Sequence, residues 1–297
     1  MNTNSDLIQF CNDHLIKLQI IEMVQSLIYK TNQGKVARIY KAFEDVYYNK
    51  QNPDDKDYHD LIETKVSGIK NQISECSPLN NFEISERDTH IGVDFPTWFN
   101  FTDNKPKLML VGIDPLRTGE NLKDKISIGT PYNIHTLKNL GKNLESNLFW
   151  KLISGLAKDY SVYVTDTFKV FFMEESDLNR RSYNCPRFTN PDSDNWEEEI
   201  HQKIFQNEVD IISPDAIITL GRKPVQWFTS LKTTKFKELK KMVEDRDERL
   251  LRGSIPILAF PHLSGLSRNG KELYGVGKRK ELPEQYISTI DTYLRKN

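Results

Sequence analysis

Cysteine is scarce in this chain, and the three present, Cys11, Cys76 and Cys185, stand far apart with no Cys-x-x-Cys pair. That spacing argues against a disulfide framework and against a cysteine-held zinc or iron–sulfur centre, and it fits a reducing compartment. Excess charge is missing too: 41 Lys and Arg offset 42 Asp and Glu, giving a formal net charge of −1. No overall basic field marks the chain as a nucleic-acid binder, so any such affinity has to come from local patches. No apolar run approaches membrane-spanning length, and the N-terminus lacks a basic segment leading into an apolar stretch. Internal repeats and low-complexity tracts are absent as well. The expectation is a cytoplasmic globular protein with no cofactor, no metal and no membrane partner.

What the chain does have is a change of character along its length. Leu7, Ile8, Cys11, Leu15, Leu18, Ile21, Val24 and Leu27 recur mostly three and four residues apart, the stripe of an amphipathic helix. A second stretch, Val36–Tyr48, and a third, Tyr58–Ile73, flank the breaker Asn52-Pro53-Asp54-Asp55. From Lys107 onward, short apolar runs alternate with helical stretches. Leu108–Val111, Val162–Thr165, Ala216–Leu220 and Ile255–Phe260 read as strands, and Leu137–Leu156, Trp196–Val209, Val225–Leu231 and Pro283–Leu294 as helices. Such alternation predicts an α/β fold: three αβα layers around a mostly parallel four-stranded sheet. The Asp-, Asn- and Pro-rich segment 77–106 separates the two characters. It places a helical N-terminal region at residues 1–90 and the α/β domain at residues 91–297.

Several strands end in chemically distinctive loops. Leu108–Val111 runs into Gly112-Ile113-Asp114-Pro115, which presents a carboxylate on a Pro-containing turn. No Gly-Lys-Ser/Thr follows, and the glycines lack dinucleotide-fingerprint spacing. Gly129-Thr130-Pro131-Tyr132 sets an aromatic behind a proline, suited to stacking on a planar base. Val162–Thr165 ends in a second carboxylate, Asp166. Ile255–Pro261 leads into His262-Leu263-Ser264-Gly265-Leu266-Ser267, and Arg268, Lys271, Lys278, Arg279 and Lys280 follow. Ligands of parallel α/β sheets sit outside the carboxyl ends of the strands, where these groups would gather.

In this order the residues resemble the uracil-DNA glycosylase superfamily, over Lys107 to about Asn269. Gly112-Ile113-Asp114-Pro115 is similar to its first motif, Gly-x-Asp/Asn/Glu-Pro, and Gly129–Tyr132 to the Gly-x-Pro-Phe of some single-strand-active members. His262–Ser267 matches four of the six positions of the closing His-Pro-Ser-Pro-Leu-Ser, with Leu263 and Gly265 replacing the prolines. The resemblance implies a monofunctional DNA glycosylase, with DNA as partner and base flipping as the route to the bond. It assigns Asp114 to stabilising the positive sugar and positioning water, and His262 to donating to the base O2. Tyr132 stacks on the base, beside Ile113. Ser264, Ser267 and nearby backbone grip phosphates, Leu266 wedges into the vacated stack, and Arg268 and Lys271 supply local positive charge.

Two positions depart from the uracil pattern. Where the family carries an asparagine that reads uracil, in a context such as Val-Tyr-Ile-Thr-Asn, this chain has Val162-Tyr163-Val164-Thr165-Asp166. Uracil offers an N3–H donor and an O4 acceptor, which an amide complements; cytosine reverses both. A carboxylate facing O4 would leave two acceptors opposed in a dry pocket, at about 1–3 kcal/mol or more. Facing cytosine, it accepts from the N4 amino group, and a protonated carboxyl also donates to N3. Leu116 stands where some uracil-specific members have a tyrosine that blocks the pyrimidine C5. The superfamily includes a defence-type enzyme that excises glucosylated hydroxymethylcytosine from phage DNA, and a C5-modified cytosine fits both departures.

Each residue has an ordinary explanation when taken alone. Asp114 and Asp166 could cap the segments that follow them, Tyr132 could be core, and Lys278-Arg279-Lys280 could be a solvated face. Their joint order outweighs those explanations. Two alternatives stay open: a uracil glycosylase that tolerates Asp166, and a non-catalytic nucleic-acid-binding protein on the same fold. The N-terminal stripe reads as a packing or lid bundle, because burial accounts for its apolar residues.

Overall fold

The computed structural model describes residues 89–94, 96–99, 104–113, 126–129, 131–133, 147–168, 170–174, 202, 205–206, 208–210, 212–229, 231, 235–263 and 268–295. The helical stripes expected between residues 7 and 73 lie outside the described residues. The boundary drawn at residues 90 and 91 falls within a strand, β1 (Thr89–Asp94).

Four strands predicted from their apolar runs pair as expected. β3 (Lys107–Gly112), β5 (Ser161–Asp166), β7 (Ala216–Leu220) and β9 (Ile255–Phe260) form the parallel centre of one sheet, in the order β5-β3-β7-β9. Their centres are apolar because both sheet faces are covered: Leu108 to Val111, Val162 to Val164 and Ala216 to Ile218 are all buried. The expected count of four falls short, however. Short antiparallel strands extend both edges, β2 (Thr97–Phe99) against β5 and β8 (Leu251–Arg252) against β9, giving a mixed sheet of six. A second, unpredicted sheet sets β1 between β4 (Ile126–Gly129), parallel, and β6 (Val170–Glu174), antiparallel.

In chain order the four parallel strands run 2-1-3-4 across the sheet, so the direction of winding reverses between β3 and β7. Right-handed crossovers then put the connections on opposite faces, completing the expected layers. α1 (Leu148–Leu156), between β3 and β5, lies on one face with α5 (Leu282–Arg295) packed along it. Gly155 permits that approach, since a Cβ there would overlap Ile287 Cδ1. The opposite face carries helical residues near 205–212, α2 (Arg222–Phe228) and α3 (Phe236–Glu244). From that face the buried Glu208 accepts from Tyr163 Oη at 2.6 Å and Thr165 Oγ1 at 2.9 Å. Alternation along β5 therefore sends Asp166 to the α1 side, where the site forms.

Candidate active site

β3 and β5 stay joined beyond their last paired residues. Gly112 is in register with Asp166, and the chain continues with Thr167 N donating to Gly112 O at 3.1 Å. The carbonyl of Ile113 then accepts twice, from Thr167 Oγ1 at 2.6 Å and Phe168 N at 2.9 Å. The backbone is thus fixed up to the residue before Asp114. Gly112 is required by crowding: a Cβ there would overlap Asp166 Oδ1 and lie 3.2 Å from Tyr132 Cζ and Oη. The turn glycine of the first motif is where the second carboxylate and the aromatic converge.

Tyr132 reaches this point from a single 3-10 turn, Pro131–Asn133, just after β4. Its backbone sits at φ 60° and ψ 17°, a left-handed conformation that costs a non-glycine residue about 1–2 kcal/mol. Packing of the ring offsets that cost. Tyr132 stacks on Phe149, with centroids 4.4 Å apart and planes 15° from parallel. Phe149 is placed by the first turn of α1, where Asn147 Oδ1 accepts from the backbone N–H groups of Phe149 and Trp150 at 3.0 and 3.1 Å. The Tyr132 hydroxyl is buried with no hydrogen-bond partner among the described residues. Burial, and then the neighbouring Asp166 carboxylate, push the phenol well above its ordinary range, so it stays neutral.

His262 arrives from the opposite side, two residues beyond β9. Its ring lies 5.2 Å from Phe149 and 6.3 Å from Tyr132, tilted to both. Gly221 packs behind it at the end of β7, where its N–H donates to Phe260 O at 2.8 Å. At φ 108° that position favours glycine, and a Cβ there would touch His262 Cβ at 3.8 Å. Burial, and then the Arg279 guanidinium, lower the imidazole to about 4, so it is neutral at neutral pH. A neutral imidazole can donate one N–H without carrying charge.

Of the residues expected at the site, Ile113, Tyr132, Asp166 and His262 are brought together at the carboxyl ends of β3, β5 and β9. Asp114, Leu116, Ser264, Leu266 and Ser267 lie outside the described residues. Arg268 opens α4 (Arg268–Tyr274), on which Lys271 is half-buried. Phe149 went unrecognised, because Leu148-Phe149-Trp150 reads as ordinary helix core. Arg279 stands in the basic stretch 278–280, whose ordinary explanation is a solvated face, whereas its guanidinium donates inward to Leu263 O. Among the described residues no cluster of three or more His, Cys, Asp or Glu could hold a metal, and no helix is long and apolar enough to cross a membrane.

Polar groups converging on the carboxyl ends of a doubly covered parallel sheet define an α/β protein with a candidate ligand site at that edge. The family model described as the uracil DNA glycosylase superfamily matches residues 99–289, from the end of β2 into α5. That match takes in more than half of the chain and every site residue named above, and the chain belongs to the uracil DNA glycosylase superfamily. No curated protein matches the chain.

Proposed function

We propose that the protein is a monofunctional DNA glycosylase that excises a cytosine-type base, with a C5-modified cytosine as the preferred substrate. The observation that carries the reading is Asp166 at the tip of β5, in register with Gly112 and facing the Tyr132 ring. A carboxyl group there complements the N4 amino group of cytosine and opposes uracil O4. Leu116, which stands in the sequence where some uracil-specific members of the family carry a tyrosine, supports the modified base.

In this reading the nucleotide flips out of the stack and its base stacks against Tyr132. Phe149 backs the platform. Water adds to C1′ as the bond from C1′ to N1 breaks, and the electron pair departs with the base, which takes up a proton. Asp114 stabilises positive charge on the sugar and orients the water, while neutral His262 donates to O2 as negative charge gathers there. The products are the free base and an abasic site. Ser264, Leu266, Ser267, Arg268 and Lys271 are assigned to holding the DNA. No lysine takes a nucleophile position in the motifs, so no strand cleavage by elimination is expected.

Mass spectrometry of bases released from single- and double-stranded DNAs bearing uracil, cytosine and C5-substituted cytosines, glucosylated hydroxymethylcytosine included, tests the proposal. Release of a cytosine-type base supports it, and release of uracil alone overturns the base assignment. No release of any base, combined with a biological effect that survives Asp114→Ala, overturns the enzyme reading in favour of a binding protein.

A further inference from the structure

His262 stands on a loop with little covalent stiffness of its own. Pro261 fixes φ just before it, but Leu263 and Gly265 follow, and neither restrains the backbone beyond the histidine. The rigidity comes from elsewhere. Tyr286 on α5 is fully buried and its Oη donates to Pro261 O at 3.0 Å. Arg279, in the 3-10 turn Arg279–Glu281 that leads directly into α5, donates through Nη2 to Leu263 O. The two carbonyls on either side of His262 are therefore gripped by one unit, α5 and its leading turn.

That unit is itself anchored. The Tyr286 ring packs 4.6 Å from Phe260 and 5.1 Å from Tyr274, and Leu263 is fully buried. α5 also meets α1 at Gly155 and Ile287, and the first turn of α1 carries Phe149, the ring that touches His262. The backbone and one side of the imidazole are thus referenced to the same pair of helices.

We propose that Arg279 and Tyr286 are positioning residues for His262, holding the imidazole in the orientation from which it donates to the departing base. The proposal rests on the glycosylase reading of His262. It goes beyond that reading by giving the C-terminal helix a part in the chemistry. Arg279 has a second effect that a purely packing residue would lack: its positive charge faces the imidazole and disfavours protonation. The guanidinium that helps hold the loop also adds to burial in keeping its histidine neutral.

The test compares the full-length protein with Arg279→Gln, Arg279→Lys and Tyr286→Phe, using two readouts. The first is an NMR titration of the His262 ring, which needs no activity. The midpoint near 4 of the wild type is expected to rise in Arg279→Gln and to return toward the wild type in Arg279→Lys. The second is single-turnover base release, expected to fall by about 10²-fold in Arg279→Gln, with DNA affinity within about twofold of wild type. Arg279→Lys recovers part of that loss. Tyr286→Phe, which keeps the ring and removes only the donor, loses rate with its His262 midpoint unchanged. An unmoved midpoint in Arg279→Gln overturns the proposal, as does an undiminished rate in Tyr286→Phe. If the wild type releases no base from any DNA, the glycosylase reading fails, while the titration still decides whether Arg279 acts on His262.

Discussion

Gly112 and Asp166 form the last paired position of β3 and β5, and Asp166 Oδ1 occupies the space that a Cβ on residue 112 would fill. The turn after β3 and the tip of β5 are thereby locked at a single point, with the Tyr132 ring tip as the third party. Gly112→Ala is expected to displace the carboxylate, the ring, or both. Overpacking of this kind destabilises by about 1–3 kcal/mol. Base release should fall by more than that loss of stability explains, which thermal melting and single-turnover kinetics on the same samples would show. A variant with wild-type rate would mean that the Asp166 position is immaterial.

The low value of His262 carries a signed consequence for stability. Its folded value is about 4 against an ordinary 6.5, so between those limits the unfolded chain binds the proton more readily than the folded one. The contribution of neutral, half-buried His262 to stability is therefore complete above about 6.5 and is lost as the pH falls toward about 4. Melting temperatures measured through that window should decline less steeply in His262→Gln than in the wild type. Parallel declines would contradict the burial and charge environment described for His262.

Tyr132→Phe separates stacking from hydrogen bonding. The hydroxyl is buried without a partner among the described residues, and an unsatisfied buried donor costs about 1–3 kcal/mol. Removing it should leave stability unchanged or raise it by about 1 kcal/mol in chemical denaturation. Phe149→Ala, at a half-buried ring, should instead lower stability by about 1–3 kcal/mol and weaken base release by loosening the platform. A Tyr132→Phe protein clearly less stable than wild type would mean that the hydroxyl is paired.

Much of the fold was legible in the sequence for a physical reason: strands buried on both faces are apolar through their centres, as Leu108–Val111 and Ala216–Ile218 are. The edge strand β8 has two residues, too few for any pattern, and β1 mixes His90, Gly92 and Asp94 with apolar neighbours. The placement of Tyr132, Asp166 and His262 followed from strand ends and motif order. Phe149 did not, because no spacing indicates that the first turn of α1 faces the site. Arg279 was hidden for another reason. It sits between exposed Lys278 and Lys280 in what reads as one solvated run, and only the turn before α5 points the middle side chain inward.

The central claim is that Asp166 sets the base. Its most direct test is mass spectrometry of the bases released by the wild type and by Asp166→Asn from one panel of DNAs bearing uracil, cytosine and C5-substituted cytosines. The account predicts that the wild type releases a cytosine-type base. It predicts that Asp166→Asn gains uracil release relative to cytosine, because an amide can donate to O4 while accepting from N3–H, whereas a carboxylate only opposes O4. Each matched or opposed pair should be worth about 1–3 kcal/mol, or roughly five- to 150-fold in relative rate. A wild type that already prefers uracil, or an Asp166→Asn protein with the same base preference as its parent, would contradict it.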